Sequence, residues 1–83
     1  MISQYYIKQK QNIQIHVFKT NINSDTDVKT IGTLLNSNPY IKNWSVDLED
    51  IDKVLRIEAR KQLHENDIVK HLNTKGFYCA TLE

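Results

Sequence analysis

The stretch NINSDTDVKT, residues 21–30, sets a hydroxyl, Ser24, three residues ahead of a carboxylate, Asp27. At the start of a helix a serine accepts from an orphan backbone N–H, and an acid three positions on answers the positive helix end. The pair therefore reads as a capping box with Asp in place of the usual Glu. Few other side chains could do chemistry. Cys79 is the single cysteine, so no disulfide can form within the chain. His64 and His71 stand seven apart, and two imidazoles two helical turns apart do not chelate one ion unaided, which leaves solvated helix histidines. Asp47, Glu49, Asp50 and Asp52 crowd one turn, but Asp52 stands where a calcium loop needs glycine and no helix flanks it. That turn reads as a polar hairpin. No nucleophile elbow, Walker loop or catalytic carboxylate pair appears, so no catalytic residue is expected and the chain is not read as an enzyme.

The elements that must position these groups follow from periodicity. IQIHVFKTNI, from Ile13 to Ile22, is β-branched and aromatic, a strand. Val28, Ile31 and Leu35 recur at helical spacing, and Pro39 ends that helix near Asn38. Gly32 lies inside it, at a cost of roughly 1 kcal/mol against alanine, and so marks close packing of helix on sheet. Trp44, Val46 and Leu48 alternate with polar residues, as do Leu55, Ile57 and Ala59, with the acidic turn between them making a hairpin. HENDIVKHLNTKG gives a second helix with Asp67 in its first turn and Gly76 as a left-handed cap. Phe77 to Leu82 forms a last strand. The order predicts an α+β fold, a ferredoxin-like βαββαβ sandwich with a four-stranded antiparallel sheet and two helices on one face.

Eighty-three residues hold a single core. A net charge of +1 offers no basic surface for nucleic acid or an anionic membrane. No signal peptide or membrane span is evident, and one cysteine fits a reducing compartment, so a cytoplasmic, soluble protein is expected. RNA-recognition modules share the strand order but need aromatics on the central strands, where Val54, Arg56 and Glu58 stand instead.

FKTNI followed by a helix-opening turn, then WSVDLED, VLRIEA and IVKHLNTKGF, resembles the small heavy-metal-associated (HMA) domain family of copper and zinc chaperones. The likeness runs from Ile13 to Leu82. It implies a single HMA-like domain over residues 13–83, behind an N-terminal extension of residues 1–12 that continues the strand or covers the sheet. In that family the turn after the first strand carries Cys-x-x-Cys, and here the two cysteine positions fall on Ser24 and Asp27. Oxygen donors suit hard ions and not Cu(I), so no metal is expected there, and no cofactor. Cys79 is a weak candidate ligand; its alternation reads more simply as a small core residue. His16 lies eight residues before Ser24, roughly 25 Å along an extended strand, and cannot join that turn.

The resemblance also turns Phe18, Thr20 and Ile22 toward the helices, against a plain reading of Ile13, Ile15 and Val17 as core. Ile15, Val17, Tyr78 and Leu82, with Ala80, then form an apolar open face, and such a face usually has a cover. Ile2, Tyr5, Tyr6 and Ile7 of the extension are one cover, a second molecule the other. The expectation is a non-catalytic protein-interaction module, its partner an unidentified protein or a homodimer mate. The rival is a divergent metal-trafficking protein with a weak, non-thiolate site; a small enzyme comes third.

Overall fold

A residue on a strand faces the side opposite its neighbours, so the position of Phe18 decides which half of the first strand is core. A computed structural model describes residues 12–82; the expected extension, apart from Asn12, lies outside the described residues. The elements are β1 (Ile13–Thr20), α1 (Asp25–Asn36), β2 (Ile41–Asp47), β3 (Val54–Arg60), α2 (Glu65–Thr74) and β4 (Cys79–Thr81). The strands form one antiparallel sheet in the order β2-β3-β1-β4. This is the HMA-type ferredoxin-like arrangement, with both helices against one face.

Phe18, opposite Leu55, has no solvent exposure, and Ile22, Ile57, Ile31 and Leu72 close the same layer. Ile15, one residue out of phase and opposite Glu58, stays 55% exposed. The β-branched residues Ile13, Ile15 and Val17 thus lie away from the helices, as the resemblance implied. Plain alternation points to the wrong side here because the covered side of β1 carries Gln14, His16 and Thr20 beside Phe18, while the open side carries the β-branched residues.

Gly32 has the expected role. A Cβ there would sit 2.9 Å from Cζ2 of Trp44 on β2, so glycine is what lets the ring approach α1 this closely. The indole Nε1 donates to Asn36 Oδ1 at 2.9 Å, fixing the ring's outer edge. Gly76 ends α2 at φ +85°, in the left-handed region.

Element ends depart from the sequence reading for local reasons. β2 begins at Ile41, three residues before the alternating run, because a bulge between Ile41 and Asn43 breaks the period. β1 stops at Thr20, whose hydroxyl accepts from Ile22 N–H at 3.1 Å and turns the chain. β4 is only three residues long, since Tyr78 N–H donates to the Asn21 side chain at 2.9 Å and not to a strand.

Candidate functional site

Three loops meet at one end of the sheet: the turn of residues 21–24, the β2–β3 tip and the segment leading into β4. β1 holds them together. Thr20 N–H donates to Asp52 O at 2.9 Å and its hydroxyl to Lys53 O at 2.6 Å, while Asn21 holds Tyr78 on the other side. Thr20 also faces Cys79 across β1 and β4. The topology therefore brings Cys79 toward the turn.

Within the turn, Ser24 is the N-cap of α1, extended at φ −152°. Its Oγ accepts from Asp27 N–H at 3.1 Å, and the Asp27 carboxylate accepts from Asn23 N–H at 3.2 Å. The reciprocal bond thus lands one residue earlier than in a standard capping box, on the residue before the cap. Both oxygen groups are half-buried and engaged with backbone. Asp25 and Asp27 together place two carboxylates in the first turn, where the helix end favours negative charge.

Cys79 is 7% exposed, and burial pushes its thiol up to about 12 with the nearby Glu65 carboxylate adding to the effect. At neutral pH it is a neutral thiol within the core layer, where soft-metal ligation and nucleophilic chemistry both require the thiolate. The histidines do not converge on it. His64 opens α2, its N–H donating to the Asp67 carboxylate at 3.1 Å, and His71 stands exposed in the last turn of that helix. Among the described residues, no three His, Cys, Asp or Glu side chains gather to hold a metal ion.

His16 is the residue that distance arguments set aside and the structure makes conspicuous. It lies opposite Ile57 in the covered layer, 9% exposed, its ring stacked near Phe18 at a centroid distance of 6.2 Å. Its Nε2 is buried and meets no hydrogen-bond partner among the described residues. The signal was available: His16 shares the parity of Phe18.

On the open face, Val17 is half-buried and its carbonyl accepts from Leu82 N–H at 2.9 Å, which carries the β1–β4 pairing one residue beyond β4. Tyr78 and Ile15 are 53% and 55% exposed. Arg56 and Glu58 of β3 pair at 2.8 Å beside the apolar strip. The four residues singled out from sequence thus share one side of the sheet. A hollow of about 460 Å³ lies elsewhere, on the helical side, open between Leu34, Tyr40, Leu63 and His71.

No protein-family model matches this chain, and no curated protein matches it in sequence. Solved structures are similar to it in fold, among them two metal-handling proteins. The apo form of the HMA domain of the copper chaperone for superoxide dismutase superposes with a TM-score of 0.73 at 14% identity, over 86% of this chain and 68% of that one. The CsoZ metallochaperone gives 0.71 at 14% identity, over 82% of this chain and 97% of that one. Both are metallochaperone structures, and at this identity the likeness speaks for the fold. Among the described residues no helix is long and apolar enough to cross a membrane.

Proposed function

We propose that the chain is a degenerate HMA-like domain that has lost soft-metal binding and serves as a non-catalytic protein-interaction module. The observation that carries this reading is the employment of Ser24 and Asp27. The two positions that correspond to metal-binding cysteines in the resembled family spend their oxygens on the backbone at the start of α1. A ligand would have to displace those bonds, and oxygen donors select hard ions in any case. Cys79, held as a neutral thiol by burial, supplies no thiolate in compensation. The open face then supplies the surface: Ile15, Val17, Tyr78 and Leu82 meet another protein or a second copy. A reducing compartment such as the cytoplasm suits a chain with one buried cysteine.

A second reading is favoured by what the two similar structures are called, both metallochaperones. In it the chain still carries an ion weakly, through Asp27 with Cys79 or with a partner's ligands. Native mass spectrometry under reducing conditions, with Cu(I), Zn(II) and then Mg(II) or Ca(II) titrated in, separates the two. The interaction module takes up no ion stoichiometrically. Tight one-to-one binding of Cu(I) or Zn(II), lost on Cys79→Ser, overturns it in favour of the carrier. The double variant Ile15→Lys with Val17→Lys tests the surface: a folded protein whose association is unchanged removes that face from the proposal.

A further inference from the structure

Ile51 is 93% exposed at the apex of the β2–β3 tip, the most solvent-exposed large apolar side chain among the described residues. The turn beneath it is not loose. Glu49 N–H donates to Asp47 Oδ1, Asp52 N–H to Asp50 Oδ1 and Lys53 Nζ to Leu48 O, all within 3.1 Å, and Thr20 pins the far side through Asp52 O and Lys53 O. An isoleucine with no part in the core is therefore held outward on a braced turn. Such pre-organisation lowers the entropy lost on binding. Around it stand Asp47, Glu49, Asp50 and Asp52, and the carboxylates of Glu49 and Asp52 take no part in the turn's hydrogen bonds.

The other end of the same sheet is its complement. Among the described residues an open cleft of about 280 Å³ lies between Asn12, Ile13, Lys42 and Arg60, with no carboxylate in its lining and room for one branched aliphatic side chain. Glu58, opposite Ile15 on that face, is paired with Arg56. β3 separates tip from cleft by its whole length of 7 residues, roughly 20 Å, so the tip cannot reach the cleft of its own chain.

We infer that the acidic tip crowned by Ile51 docks head to tail into the basic cleft of Asn12, Ile13, Lys42 and Arg60 on a second copy of this chain. The charge complementarity names the occupant, because both halves are carried by one molecule, and a net charge of +1 sets up little overall repulsion between copies. The contact is small and its charges lie at the rim, so association is weak and salt-sensitive. It is heterologous and leaves a free tip and a free cleft on every complex, so growth does not stop at two unless a ring closes. The cleft borders the apolar open face of the proposed function through Ile13, whereas the tip stands apart from that face, and an isologous pairing through Ile15 and Val17 ends at a dimer.

The test is sedimentation velocity of the full chain from about 10 µM to about 1 mM, at about 20 mM and about 500 mM salt. Wild type is expected to gain mass with concentration beyond two copies at low salt and to lose it at high salt. Glu49→Lys with Asp52→Lys replaces the tip's two free carboxylates by ammonium groups beside a basic cleft, and Lys42→Glu with Arg60→Glu makes both ends acidic. Each folded variant alone is expected to stay monomeric, and an equimolar mixture to associate again, since every tip then finds a complementary cleft. Ile51→Ser is expected to weaken wild-type association roughly tenfold. A wild type monomeric throughout, a mixture that stays monomeric, or charge variants that associate like wild type overturn the inference. So does a dimer that stops at two copies, survives Ile51→Ser and is lost with Ile15→Lys and Val17→Lys; that result leaves the sheet-face proposal standing.

Discussion

On its covered side the sheet leaves Phe18, Leu55 and Ile57 with no exposure, while on its open side Ile15 and Tyr78 keep more than half of theirs. The residue types are similar, and Ile15 and Phe18 share a strand. What differs is that two amphipathic helices bring Ile31, Leu35, Ile68 and Leu72 to one side only. Apolar side chains on the covered side are explained by the fold, since each removes surface from water and fills space between layers. Those on the open side are not, and the proposed interaction face rests on them.

Substitutions break or sharpen this contrast. Phe18→Ala is expected to cost the most, about 3–5 kcal/mol in chemical denaturation, because it empties a closed layer. Gly32→Ala sets a helix-propensity gain of about 1 kcal/mol against forcing Trp44 away from a 2.9 Å approach. Overpacking at that distance wins, for a net loss of about 1–2 kcal/mol, and Gly32→Ala made together with Trp44→Phe recovers part of it. Ser24→Ala removes one cap bond and is expected to lower stability by about 1 kcal/mol; a change near zero would mean that Ser24 is not needed for the helix. Ile15→Lys with Val17→Lys is expected to cost under about 1 kcal/mol, because much of the area involved is already wet. A loss as large as that of Phe18→Ala would show that the open face is covered within the chain, and would end the contrast.

Most of the fold was legible because periodicity is set by which side of an element meets the core. Val28, Ile31 and Leu35 announce α1, and Gly32 and Gly76 announce a close approach and a cap that the structure contains. β1 misled for a physical reason: its more apolar side, Ile13, Ile15 and Val17, is the open one, so its own alternation chose wrongly and the turn position after FKTNI decided. The start of β2 was hidden by its bulge. At the candidate site the cap at Ser24 and Asp27 was readable, whereas its shift onto Asn23 depends on a backbone path that spacing does not encode. The isolation of His16 Nε2 depends on what surrounds it, and Ile51 looked like part of a polar turn until its exposure was known.

Thr20 carries a further consequence. Its amide and hydroxyl tie β1 to the β2–β3 tip, and the same hydroxyl receives the amide of Ile22 at the entry to the cap. Two loops far apart in sequence are thus latched by one side chain, and they open as a single cooperative unit. In hydrogen–deuterium exchange the amides of Thr20 and Ile22 should exchange at matched rates, and Thr20→Val, which keeps the shape but removes the hydroxyl, should speed Ile22 far more than Thr20. Independent rates in the parent protein would mean that the loops fluctuate separately and that the latch is only a static contact.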